Sequence, residues 1–150
     1  MGVGRVKFRI RSDPVAQGRP RLTTIGGRAR AFDPKKSKEY KAFIKDVALQ
    51  AMERQGVDGP MKGPIIARMR FGFKLPKSDE RKTIPPPRKW HTKRPDIDNL
   101  VKAILDGCKD VVFFDDTDIV RLVADKIVCA QGEPPFIMVL FEQAEEFNDA

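Results

Sequence analysis

The segment Ile65–Leu75 alternates, with every odd position apolar. Ile65, Ala67, Met69, Phe71, Phe73 and Leu75 are apolar, and Arg68, Arg70 and Lys74 fall between them. Successive strand side chains point to opposite faces, so this pattern requires a strand with one face in a core and a cationic outer face. Val6-Lys7-Phe8-Arg9-Ile10 repeats the pattern at the N-terminus, Ile119–Val128 reads as a buried strand, and a last strand, Phe136–Phe141, follows Pro134-Pro135. Two segments switch to the helical period. After Ser37, a suitable N-cap, apolar residues fall at 40, 43, 44, 47, 48 and 51, and Gly56 closes that helix. A second stripe at 97, 100, 101, 104, 105 and 108 predicts a helix from Asp98, with Gly107 expected to fray or end it.

Between these elements lie two long stretches of loop character. Pro14 to Pro34 carries Arg19, Arg21, Arg28 and Arg30 with a turn at Gly26-Gly27. Residues 76–95 contain three consecutive prolines at 85–87 together with Lys77, Arg81, Lys82, Arg88, Lys89, Lys93 and Arg94, and Trp90 and His91. A loop of that length in a compact domain is usually functional, and this composition favours nucleic-acid contact. The tail 142–150 is acidic and reads as loosely held. At 150 residues the chain has room for one domain with a real core, spanning 1–150. No run approaches the ~20 apolar residues of a membrane span, and the N-terminus lacks the apolar run of a secretory signal. Two cysteines, Cys108 and Cys129, suit buried thiols in a reduced, cytoplasmic protein better than a disulfide framework or zinc site.

The net charge of +8 conceals an asymmetry. Residues 1–94 hold 25 Lys and Arg against 8 Asp and Glu, a surplus of +17, whereas residues 95–150 hold 4 against 13, or −9. A basic surface favours a polyanion, and phosphate contacts supply much of nucleic-acid affinity. Carboxylates in such a chain attract phosphate only through a bound cation, so the acidic third points to a metal.

The acidic constellation is Asp96-Ile97-Asp98-Asn99, then Lys102 and Asp106, then Asp115-Asp116. Helical residues i and i+2 point about 200° apart, so Asp96 and Asp98 converge on one ion only if the helix begins between or just before them. Asp98, Lys102 and Asp106 are spaced by four and make a polar stripe. Magnesium takes a few carboxylates plus water and substrate phosphate, and in phosphodiester cleavage it polarises the phosphoryl group and activates water. Lys102 is placed to neutralise charge growing on the phosphate. One of Asp115 and Asp116 supplies a further carboxylate, and strand alternation lets only one face the site. Lys126 is the only charge on its face of the 119–128 strand, and it either snorkels outward or pairs with carboxylates.

The string Arg94-Pro95-Asp96-Ile97-Asp98-Asn99-Leu100, with Lys102, Asp106, Asp115-Asp116, Ile119 and Lys126, resembles the RusA family of Holliday junction resolvases, as do Gly18-Arg19-Pro20-Arg21 and the helix around Tyr40. The resemblance implies a small α+β fold: a mixed or antiparallel sheet of about four or five strands with two main helices. It further implies a homodimer, magnesium (manganese substituting) and paired nicking of branched DNA at a four-way junction in a bacterial or phage-infected cell. Asp96, Asp98 and Asp116 match the metal carboxylates and Lys102 the catalytic lysine. Asp106, Asp115 and Lys126 match supporting positions. Arg19, Arg21, Lys89, Trp90, Lys93 and Arg94 are the expected DNA contacts. Asp118 stands where the family usually has glutamine.

Four other readings compete. A non-catalytic branched-DNA-binding protein would use the same cations, and a nuclease for flaps would use the same metal site. A phosphatase built on Asp96-x-Asp98 lacks the preceding hydrophobic strand. Glu80-Arg81-Lys82 has the E-x-K spacing of restriction-type nucleases but falls in the proline-rich loop rather than on paired strands.

Overall fold

Alternation places the strands as expected. The computed structural model describes the backbone at residues 4–17, 21–25, 28–32 and 35–149, with side chains at 4–17 and 37–149. Strand β1 (Arg5–Ile10) buries Val6, Phe8 and Ile10, and β4 (Ile65–Phe73) buries Ile65, Ala67, Met69 and Phe71, each with exposed cations between. With β5 (Lys89–Trp90), β6 (Ile119–Val128) and β7 (Phe136–Gln143) they form a five-stranded sheet in the order β1-β7-β4-β6-β5. The β4–β6 pair is parallel and the other pairs are antiparallel, giving a mixed sheet. Helices α1 (Lys35–Arg54) and α2 (Ile97–Cys108) complete a single small α+β domain.

Both helices contribute to one core with the sheet: Ile44, Ala48, Ala51 and Met52 from α1, Leu100, Val101, Ile104 and Cys108 from α2. Gly107 does not fray α2. It lies within the helix and marks its close crossing with α1, where a Cβ would stand 2.5 Å from Ile44 Cγ2. A smaller cluster of Ile127, Cys129 and Phe136 lies apart from this core, with Arg9 and Arg88 stacked over the Phe136 ring. Both cysteines are buried free thiols, and burial pushes both above the ordinary thiol range.

Several expectations need correction. The stretch Pro14 to Pro34 holds an antiparallel hairpin, β2 (Arg21–Ile25) with β3 (Arg28–Phe32), because Thr23, Thr24 and Ile25 favour extended backbone more strongly than the flanking Pro and Gly favour loop. Gly26-Gly27 itself lies outside the described residues. Helix α1 begins at Lys35, so Ser37 is inside its first turn, and Phe43 is 46% exposed despite its place on the apolar stripe. Strand β6 is buried only at Ile127 and Val128. Val120, Leu122 and Val123 are exposed, so both faces of the first half of β6 are open, and β5 pairs with β6 only at those last two residues. The acidic tail begins inside β7, and the Gln143 side chain ties it to Gly4 N and Lys62 O.

Candidate catalytic site

The start of α2 meets the condition set by the sequence. Asp96 is the N-cap, with extended backbone (φ −69, ψ 145), and Ile97 is the first helical residue, so the helix begins between Asp96 and Asp98. The Asp96 side chain makes no capping bond. The Arg94-Pro95 peptide is cis. Lys126 settles the approach to this turn: its Nζ donates to Lys93 O and Pro95 O, each at 2.7 Å. It therefore does not snorkel, and among the described residues it pairs with no carboxylate. The ammonium instead satisfies two backbone carbonyls that carry the chain into Asp96.

Asp115 and Asp116 are separated by what each touches. They open a short 3-10 turn, Asp116–Asp118, that leads into β6. Asp115 accepts from Asp116 N at 2.9 Å and from Thr117 Oγ1 at 3.1 Å, and lies 3.6 Å from Lys109 Nζ. The Thr117 hydrogen bond, then the Asp116 amide and Lys109, hold its carboxyl below the usual carboxylate range. Asp116 is held above that range by loss of solvent and next by the neighbouring Asp106, against the opposing pull of Lys109 and Lys102. One carboxylate of the pair closes its own turn, and the other confronts α2. Lys109 is a member of this group that the sequence alone did not single out, although it follows Asp106 by three positions and so shares its side of the helix.

Of the stripe Asp98-Lys102-Asp106, Lys102 and Asp106 are the members whose charges reach Asp116. Asp96 lies about 15 Å from Asp106 along α2, at 1.5 Å per residue. Among the described residues, no three His, Cys, Asp or Glu side chains are gathered into one ligand sphere. The donor chemistry nonetheless suits a hard cation: Asp96, Asp98 and Asp116 offer carboxylate oxygens, all three residues are exposed, and Asp116 already carries the cost of a like charge beside it.

The basic segment is more ordered than its composition suggests. Gln131 accepts from Arg81 N at 2.8 Å and donates to Arg81 O and, through its backbone, to Pro86 O. Arg88 forms an ion pair with Glu133. Strand β5 adds Lys89 and Trp90 to the sheet edge, leaving Trp90 69% exposed and so outside the core. Lys89, Lys93 and Arg94 are exposed and make no ion pair among the described residues. His91 stacks on Phe73 with centroids 4.1 Å apart, and burial, aided by Lys126, lowers its basicity. Glu80 follows a 3-10 turn and lies on no strand, so the E-x-K spacing has no scaffold. Arg19 lies outside the described residues, as does the side chain of Arg21.

The chain is similar in sequence to known proteins. Residues 12–137 match the family model described as Endodeoxyribonuclease RusA, a span that takes in Asp96, Asp98, Lys102, Asp106, Asp116 and Lys126. An uncharacterized protein of Bacillus subtilis (strain 168), YqaN, is 29% identical over 144 residues, covering 92% of this chain and 96% of the relative.

Proposed function

Because the chain belongs to the RusA family of endodeoxyribonucleases, we propose that it is a magnesium-dependent, structure-specific DNA endonuclease that resolves four-way junctions by paired nicking, in recombination and repair. The observation that carries this reading is that the charges of Asp106 and Lys102 reach Asp116 while Asp115 is occupied in its own turn. Asp96, Asp98 and Asp116 would hold the ion, which supplies Lewis-acid polarisation of the phosphoryl oxygen and an activated water. Lys102 would neutralise charge on the phosphate. Manganese, with similar oxygen preference, would substitute.

Lys89, Trp90, Lys93 and Arg94 supply the nucleic-acid face, with Arg19 and Arg21 as further contacts. Trp90 offers an exposed ring for an unstacked base at the branch point. Two symmetric nicks call for two sites, which a two-fold homodimer provides. No described helix is long and apolar enough to cross a membrane, and we place the enzyme in the cytoplasm of a bacterial or phage-infected cell.

The test compares a synthetic four-way junction, a flap and a plain duplex, with magnesium and with EDTA. Paired magnesium-dependent nicks in the junction, and a solution mass of two chains, are the expected results. Junction binding without nicking in either magnesium or manganese would make the protein a binding module, and preferential flap cutting would move the substrate class. Replacing Lys89, Lys93 and Arg94 together by Gln is expected to lower the slope of log affinity against log salt by roughly 3, at ~0.9 for each phosphate no longer neutralised. An unchanged slope would remove this segment from the DNA interface.

A further inference from the structure

Between α1, α2 and the segment before β2 lies a cavity of about 180 Å³, lined by Ala16, Gln17, Lys38, Tyr40, Ala103 and Asp106, among others. That volume is room for about six waters at ~30 Å³ each, on the scale of one nucleobase rather than a whole nucleotide. Two polar atoms of the lining residues, Gln17 Oε1 and the Tyr40 hydroxyl, are shielded from solvent and have no hydrogen-bond partner among the described residues. Buried polar atoms are nearly always satisfied, so two orphans facing one cavity point to an absent ligand. Burial also pushes the Tyr40 hydroxyl up to about 12, leaving it a hydrogen-bond donor at any working pH; the nearby Val15 backbone opposes that shift without reaching hydrogen-bond geometry.

The cavity adjoins the acidic site at two points. Gln17 N donates to Asn99 O at 3.1 Å, one residue beyond Asp98. Asp106 lines the cavity and is also the foremost charge acting on Asp116. The charges select the class of occupant. Lys38 and Lys41 are exposed residues of the lining and disfavour a cation, while Asp106 disfavours an anion inside. A neutral polar ring within, with its phosphate held outside by lysine, satisfies both.

We propose that this cavity is a nucleobase pocket: it receives an unpaired base from the strand at the scissile phosphate, with Gln17 Oε1 accepting from the base and the Tyr40 hydroxyl donating to it. Branched DNA exposes such bases at low unstacking cost. Gln17 and Tyr40 are then specificity-determining residues, because a site built to hydrogen-bond a ligand rejects one that leaves its polar groups unpaired. The proposal deepens the nuclease reading and rests on it for the position of the base.

Tyr40 is the only tyrosine in the chain, so a ring-labelled tyrosine sample gives one NMR signal for the pocket. The whole protein is titrated in EDTA with a four-way junction, then with junctions carrying a single abasic site at each position around the branch point. The expected result is a shift of the Tyr40 signal that disappears for one abasic position. Cleavage in magnesium is then measured on junctions with each of the four bases there: wild type should discriminate between them, and Tyr40→Phe and Gln17→Leu should each flatten that preference about tenfold without lowering the melting temperature. A Tyr40 signal indifferent to every abasic position would show a merely water-filled cavity and overturn the proposal. So would an unchanged base preference in both variants. Absence of cleavage by wild type would sink the nuclease reading, while the signal in EDTA still decides whether a base enters.

Discussion

Asp116→Asn should lower magnesium-dependent junction cleavage by roughly a thousandfold, while junction binding holds or tightens. A catalytic metal supplies several kcal/mol of charge stabilisation, and each ~1.4 kcal/mol is tenfold in rate. The amide keeps the shape of the side chain but is a poor ligand for a hard cation. Binding should not suffer, because the substitution removes a negative charge from the surface that meets phosphate. Nor should the fold: Asp106 raises the Asp116 carboxyl, so the ionised pair is a repulsion that the amide relieves, and the melting temperature should be unchanged or higher. Asp115→Asn is the informative companion. Its side chain closes a turn with Asp116 N and Thr117 Oγ1, interactions that an Asn carbonyl partly keeps, so cleavage should fall far less. Single-turnover rates, affinities in EDTA and melting curves for both variants decide the matter. If Asp116→Asn cuts within tenfold of wild type, or Asp115→Asn is the more damaged, the metal carboxylate has been assigned to the wrong member of the pair.

Choosing between those two aspartates shows where sequence reading stops. The strands β1 and β4 follow from alternation, and the α2 stripe from its period, because one buried face per element leaves a local trace. The start of α2 between Asp96 and Asp98 was legible as a condition for the two to share an ion, and the helix does begin there. The apolar content of β6 also suggested full burial, yet Val120 and Leu122 are exposed, because what packs over a face depends on elements distant in the chain and not on local pattern. The hairpin β2–β3 was hidden by the Pro and Gly residues around it. Likewise the tie between Gln131 and Arg81 joins residues 50 apart in the chain, a separation that no periodicity reports. The cavity beside Asp106 is of the same kind: Gln17, Tyr40 and Asp106 come from three segments and make sense only together.

Lys126 is the case where chain-distant interactions bear most directly on catalysis. On sequence it was a lone charge on an apolar face. In the fold it donates two hydrogen bonds to carbonyls that flank Arg94, immediately before Asp96. Lys126→Met keeps the stem and removes the donors. Hydrogen bonds to a charged group contribute ~1.5–3 kcal/mol each when protected, and these are only partly so, which argues for a total near 2 kcal/mol. For a chain of this size that is a fall in melting temperature of roughly 4–8 °C. The larger effect falls on turnover. Asp96 follows directly on the backbone that Lys126 holds, and a misplacement of about 1 Å at a catalytic group can cost a hundredfold. We therefore expect kcat to drop ten- to a hundredfold with KM and salt dependence little changed, and Lys126→Arg to restore part of it by offering donors from nearly the same point. A lysine that merely touched DNA would behave otherwise: its removal would weaken binding and lower the salt slope by about 0.9, with turnover of bound junction preserved. That second pattern would return Lys126 to the DNA interface and leave the geometry of Asp96 without its support.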